Sequence, residues 1–225
     1  KMTTLLITLA PPLLILLYFV LSDKFKEPKG TVILIFFLGF LICLPAGILN
    51  GLSEQFFFTK LNYSRNLTWS FLGPAWAEEL LKFLILYLIV LKRKEFNEPM
   101  DGLVYGVVVS LGFATYENYT YVYELAVDWA KEDNASPAVY SYAVALGRSY
   151  SAVPMHGLNG AVMGYFFGMY AFTNNKKFLV LSLLLPYLFH GFYNFFEFPL
   201  SMTVIGILTI YSFYLHFNLK LKQKN

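Results

Sequence analysis

Five stretches of the chain, 2–22, 30–53, 149–175, 178–196 and 198–219, contain no Asp, Glu, Lys or Arg. A helix needs about 20 residues to cross the hydrocarbon core of a bilayer, so each stretch is long enough to span one. The apolar character is continuous rather than alternating over segments of about 10 residues, which excludes a transmembrane β-barrel. Composition points the same way: 57% of residues are hydrophobic and 14% charged, whereas soluble domains carry about 45–50% and about 25%. The expected fold is an all-α, polytopic transmembrane helical bundle.

Two further segments read as spans interrupted by charge: 70–92, with Glu78, Glu79 and Lys82, and 101–124, with Glu117. Seven spans are therefore expected, at about 3–22, 31–51, 70–92, 101–124, 142–173, 178–196 and 199–218. They occupy most of the 225 residues and leave one membrane domain over 1–225, with no room for a soluble one. The first span reads as a retained helix rather than a signal peptide. Its apolar run is too long, and Ala10-Pro11-Pro12 is a poor cleavage site.

The single cysteine, Cys43, excludes a disulfide framework and a cysteine–zinc site. A net charge of +3 with basic residues scattered in short loops speaks against nucleic acid as a partner. The loops expected on one side, with the C-terminal tail, hold eleven Lys and Arg, and the other side holds five. By the positive-inside bias, the chain sits in the cell membrane with its N-terminus outside and its C-terminus in the cytoplasm.

The charges inside the spans carry the functional information. Each costs about 2.5–3.5 kcal/mol near the middle of a membrane helix. Left unpaired, Glu78, Glu79, Lys82 and Glu117 would cost roughly 10–14 kcal/mol together, comparable with the whole stability of a protein. They must be paired, protonated, metal-bound or wet. At 1.5 Å per residue, Glu78, Glu117 and His190 fall at one depth, roughly 9–12 Å below the outer surface. His156 joins them if its helix begins beyond the membrane and bends near Pro154. Four helices thus contribute acids and imidazoles to one layer.

Spacing sorts the faces. Glu78 and Lys82 are four residues apart and placed for an ion pair. Glu79 is turned about 100° from Glu78, so the two need not point the same way. His190 and Asn194 stack on one face. Asn118 follows Glu117 but is expected to face elsewhere. Lys82 suits a structural counter-ion as well as a participant in chemistry, and Glu79 suits a brace between helices. Asp101, beside Gly102, reads as stabilising a helix N-terminus. His216 lies near the cytoplasmic end of the last span, away from the layer. Gly160, Gly164 and Gly168, at four-residue spacing, read as a helix-packing face.

Buried Glu and His clusters in membranes serve hydrolysis, proton or ion transport, or ligand binding. No H-E-x-x-H or G-x-S-x-G motif is present, and no pair of intramembrane Asp residues. Among hydrolytic designs this leaves a glutamate acting on water with histidine assistance, with or without a metal. The rival class is a proton- or ion-coupled transporter, against which the lack of inverted repeats counts. A third is an inactive scaffold that binds membrane helices.

Several motifs occur together in order. Ala77-Glu78-Glu79-Leu80-Leu81-Lys82 forms an E-E-x-x-K motif. Gly112-Phe113-Ala114-Thr115-Tyr116-Glu117-Asn118 forms G-F-A-x-x-E-N, and His156-Gly157 and His190-Gly191-Phe192-Tyr193-Asn194 follow. Over about 70–195 the chain resembles the PrsW family of intramembrane proteases, grouped with the CAAX prenyl endopeptidases. The resemblance implies a membrane-embedded peptidase that makes a first cut in a membrane-anchored protein such as an anti-sigma factor. It implies that Glu78, His156 and His190 activate water and that Asn194 stabilises the oxyanion. The prenyl endopeptidases have F-x-x-x-H where this chain has Phe113-x-x-x-Glu117, so their mechanism does not carry over unchanged. An alternative assigns Glu78, Glu117, His156 and His190 as zinc ligands and Glu79 as the base. On this reading Lys82 and Asn118 support the site, and the partners are the lipid bilayer and a membrane-anchored protein substrate.

Overall fold

The computed structural model describes residues 2–60 and 65–223, and every regular element in them is helical. The helices are α1 (Met2–Ser22), α2 (Lys29–Leu41), α3 (Cys43–Glu54), α4 (Arg65–Ser70), α5 (Trp76–Leu88), α6 (Pro99–Thr120), α7 (Ala126–Glu132), α8 (Pro137–Tyr150), α9 (Ala152–Thr173), α10 (Lys176–Phe195) and α11 (Leu200–Lys222). In chain order, α1, α2 with α3, α4 with α5, α6, α8 with α9, α10 and α11 follow the seven expected spans. Four stretches, Met2–Ser22, Lys29–Phe57, Lys176–Phe195 and Leu200–Lys222, are long and apolar enough to cross a membrane by length and composition alone.

The centre of the bundle is the α6–α9 pair. Sixteen residues of each helix are buried, a share that no other helix approaches. Glycine makes the close approach possible. A Cβ on Gly164 would stand 2.1 Å from the Gly102 carbonyl oxygen, and one on Gly106 would stand 2.3 Å from that of Gly160. The Gly160/Gly164/Gly168 stripe is thus a backbone-to-backbone seam, the arrangement that small residues allow in membranes.

Three interruptions set the site. The 142–173 span is not one bent helix: it breaks at Ser151 (φ −118°, ψ −86°), three residues before Pro154. A proline ring collides with the carbonyl four residues earlier, here that of Tyr150, so the fault falls upstream of the proline itself. Pro45 acts in the same way on Leu41, and α2 gives way to α3 at Ile42. The 70–92 span starts later as a regular helix than expected. α4 leads into a wide turn, Phe71–Ala75, where Gly73 leaves helical geometry (φ −88°, ψ −114°) ahead of Pro74. In the expected loop 125–139, helix continues through α7 to Glu132.

The start of α6 is capped in two directions. Asp101 Oδ2 accepts the N–H groups of Asn97 (2.7 Å) and Glu98 (2.9 Å), and Pro99 occupies the first turn. This is the expected N-terminal role of Asp101.

Candidate active site

Because α5 begins only after the Gly73–Pro74 break, Glu78 and Glu79 fall in its first turn. Carboxylates are favoured there by the unpaired N–H groups of the helix end. Lys82 follows one turn later. Glu117 and Asn118 lie near the end of α6, His156 in the second turn of α9 just past the Ser151 break, and His190 and Asn194 near the end of α10. Four helices thus converge at one level.

The side chains form one connected network. Lys82 Nζ, fully buried, donates to Glu79 Oε1 at 2.8 Å and to His156 Nδ1 at 3.0 Å. An ammonium has only donors, so Nδ1 of His156 accepts and its proton resides on Nε2. That Nε2 lies 3.0 Å from Glu117 Oε2 and donates to it. Glu79 Oε1 also takes Nδ1–H of His190 at 2.8 Å, which leaves Nε2 of His190 with a free lone pair. The two imidazoles meet edge to face, with ring centroids 5.2 Å apart. Phe113 lies beneath, its ring centroid 4.3 Å from Lys82 Nζ.

Glu78 is held more loosely than the other acids. Its Oε1 accepts from Asn50 Nδ2 at 3.4 Å, and its Oε2 is 3.9 Å from both Lys82 Nζ and His190 Nε2. Glu78 Oε2 is buried and has no hydrogen-bond donor. Three carboxylates, Glu78, Glu79 and Glu117, face two fixed cations, Lys82 and Arg148. With neutral imidazoles one negative charge is left over, and Glu78 has the weakest partners.

These contacts depart from the helix-wheel reading in three places. Lys82 forms the expected ion pair with Glu78 at 3.9 Å but lies closer to Glu79, three residues away, at 2.8 Å, because its ammonium is drawn between Glu79 and His156. Glu79 and Glu78 both approach His190 despite the angle between them. Asn118 is not turned away from its neighbour: its Oδ1 accepts from Arg148 Nε at 3.0 Å while Arg148 Nη2 grips Glu117 Oε2 at 2.5 Å. Asn118 Nδ2 donates to the Thr8 carbonyl and ties this corner to α1.

Arg148 and Asn50 are the groups that sequence reasoning does not reach. Arg148 stands 3.9 Å above the Tyr121 ring, at the end of α8. The available signal is that it is the one basic residue between Lys131 and Lys176, directly ahead of a charge-free run.

The network opens onto a cavity of about 610 Å³ whose lining includes Asn50, Glu78, Glu117, His156, His190 and Asn194. Glu78, His156 and His190 each offer one ligand atom, all within 4.8 Å of one another. One carboxylate and two imidazoles are ligand types that zinc accepts in catalytic sites, but only Glu78 and His190 Nε2 present free lone pairs; His156 would join them on giving up Lys82 or Glu117. Glu117, the fourth expected ligand, is outside this close group, since Arg148 and His156 already hold its Oε2.

Residues 27–218 match the family described as PrsW family intramembrane metalloprotease. Protease PrsW of Bacillus subtilis is 34% identical over 221 residues, covering 96% of this chain and 92% of that protein. Protease PrsW of Oceanobacillus iheyensis is 34% identical over 190 residues, covering 83% and 79%. Protease PrsW of Clostridioides difficile is 30% identical over 190 residues, covering 82% and 75%. No solved structure matches the chain. A match across most of the length, with acids and imidazoles gathered at one buried cavity, establishes that the chain belongs to the PrsW family of intramembrane metalloproteases.

Proposed function

We propose that the chain hydrolyses peptide bonds of membrane-anchored protein substrates, making the first, site-1-type cut in an anti-sigma-factor-like protein near the outer leaflet. The observation that carries this reading is the state of Glu78. It is a buried carboxylate with one oxygen lacking a donor among the described residues, facing an imidazole lone pair across 3.9 Å at the wall of the cavity. That is the position of a group that handles a water molecule or ligates a metal.

Each neighbour has a task in this scheme. Without a metal, Glu78 accepts a proton from water as general base; were Glu78 to hold zinc, Glu79 would take that role. Glu79 fixes the tautomer and tilt of His190 through the 2.8 Å bond and neutralises Lys82. Lys82 holds His156 with its Nε2 proton toward Glu117, and Arg148 holds Glu117. Asn194 donates its side-chain amide to the oxyanion. Glu78 and His190 Nε2 would hold zinc directly, His156 would join them on giving up Lys82 or Glu117, and the buried excess of negative charge suits a dication. When bound, zinc supplies acidification of a coordinated water and polarisation of the scissile carbonyl.

The membrane orientation follows from the loops, eleven Lys and Arg against five, with the N-terminus outside and the C-terminus cytoplasmic. The site then lies toward the outer leaflet.

The test is Glu78→Gln in the purified full-length protein, with zinc content measured alongside cleavage of a single-span reporter. Cleavage is expected to vanish while helicity and thermal midpoint persist. Retained cleavage would overturn the role of Glu78. About one zinc per chain, with activity lost on chelation and restored by zinc, is the expected metal result. Metal-free protein that still cuts would reduce the mechanism to glutamate and histidine alone.

A further inference from the structure

A second group of acids lies at the opposite end of α6, sixteen residues from Glu117 and thus about 24 Å along the helix. Asp23 and Glu27 come from the connection between α1 and α2, and Asp101 from the first turn of α6. All three are buried, and each offers one carboxylate oxygen within 4.8 Å of the others. The peptidase chemistry uses none of them.

Their protein partners do not complete the site. Glu27 accepts from the hydroxyl of Tyr105, itself fully buried. Asp101 spends Oδ2 on the two N–H groups that cap α6. Asp23 Oδ1 accepts from the Phe25 N–H at 3.1 Å and from Gln223 Nε2 at 2.8 Å. Asp23 Oδ2 has no donor, although the residue is only 2% exposed. The same Gln223 amide also reaches the Glu98 carboxylate, which adds a further acid at the rim.

The nearby cations are committed elsewhere. Lys24 Nζ donates to the Gln223 carbonyl at 2.8 Å, and Lys26 Nζ donates to the carbonyls of Leu21 and Asp23. Among the described residues no ion pair reaches Asp23, Glu27 or Asp101. Burial, with Asp101 and Asp23 close by, pushes the Glu27 carboxyl up to about 8. Glu27 and Asp101 also share a side-chain hydrogen bond, whereas Asp23 Oδ2 meets neither a donor nor a cation among the described residues.

We propose that Asp23, Glu27 and Asp101 form a site for a hard divalent cation, Ca2+ or Mg2+, separate from the peptidase centre. The donors are oxygens only, which such cations prefer, whereas the peptidase group contains two imidazoles. The unfilled Asp23 Oδ2 supplies a lone pair that nothing among the described residues takes up. The ion fastens the α1–α2 connection to the start of α6 and, through Gln223, to the end of α11. It acts as a clasp at the end of the bundle away from the cut.

The experiment is calorimetric titration of the chelator-stripped full-length protein with Ca2+ alone and with Mg2+ alone. Wild type, Glu78→Gln, Asp23→Asn and Glu27→Gln are compared; Asp101 is left intact because it caps α6. One ion per chain is expected in wild type and in Glu78→Gln, with affinity weakened roughly tenfold or more in Asp23→Asn and Glu27→Gln. Equal affinity in all four proteins, or no binding of either ion to wild type, would overturn the proposal. If neither acid variant is recovered folded, Tb3+ titration of wild type and Glu78→Gln decides. Tyrosine-sensitised emission that Ca2+ competes away should persist in Glu78→Gln. Its loss there would move the ion to the peptidase centre and sink the second site. None of these readouts depends on peptidase activity.

Discussion

Replacing Lys82 with methionine removes the cation around which the active-site network is organised. Its ammonium is fully buried and lies 2.8 Å from Glu79, 3.0 Å from His156 Nδ1 and 4.3 Å from the Phe113 ring centroid. Methionine keeps the volume of the stem, so the loss is electrostatic rather than a cavity. Among the described residues, Glu79 would be left with His190 as its only hydrogen-bonded partner, and its Oε2 already lacks a donor. Removing one member of a buried ion pair costs about 3–5 kcal/mol, because the other charge stays buried without compensation. The cation–π contact adds about 0.5–2 kcal/mol to that. That is a substantial share of a stability of about 5–15 kcal/mol. Removing the opposing charge as well, in Lys82→Met with Glu79→Gln, should restore part of it, with a coupling of about 2–3 kcal/mol. The assay is reversible unfolding in mixed micelles for wild type, both single variants and the double variant. A Lys82→Met loss below about 1 kcal/mol, the range of exposed ion pairs, together with additive behaviour in the double variant, would refute the reasoning.

His190→Ala should abolish cleavage of the reporter while His216→Ala leaves it, since His216 packs among Phe19 and Tyr18 with no link to the network; equal losses would contradict the assignment. Gly164→Val places side-chain atoms where a Cβ alone is 2.1 Å from the Gly102 carbonyl oxygen, whereas Gly206→Ala meets open space. Thermal midpoints should fall sharply in the first and hold in the second, and an unshifted Gly164→Val would remove the seam from the account. Glu27, faced by Asp101, Asp23 and Tyr105, keeps its proton in the fold up to about pH 8, whereas the unfolded chain loses it near 4.5. The folded state therefore binds more protons across that window, and cation-free protein should lose stability as pH rises from about 5 to about 8. Glu27→Gln should flatten that slope in denaturant titrations, and an unchanged slope would count against the raised value.

Much of the architecture was legible in the sequence because membrane helices announce themselves through what they exclude. The charge-free runs gave their order, and the intramembrane acids marked the level at which Glu78, Glu117 and His190 come together. Details that depend on packing between helices were not legible. Arg148 is a single basic residue ahead of an apolar run, a pattern that normally denotes a membrane edge. Only the docking of α8 against the end of α6 brings it onto Glu117. The relation of Lys82 to Glu79 likewise required knowing where α9 presents His156. Pro154 signalled a disturbance, but the disturbance sits where the ring meets the Tyr150 carbonyl. Asp101 was legible as a helix cap, while its meeting with Asp23 and Glu27 depends on a contact across more than seventy residues of chain.

The break at Ser151 has a mechanical consequence. Glu117 is grasped from both sides of it, by Arg148 on α8 and by His156 on α9. α9 is fixed to α6 by the glycine seam, while α8 carries no such seam. A change in the angle between α8 and α9 therefore pulls Arg148 and His156 in different directions on a single carboxylate. Glu117 is the point at which a tilt of α8 would be translated into the alignment of an imidazole.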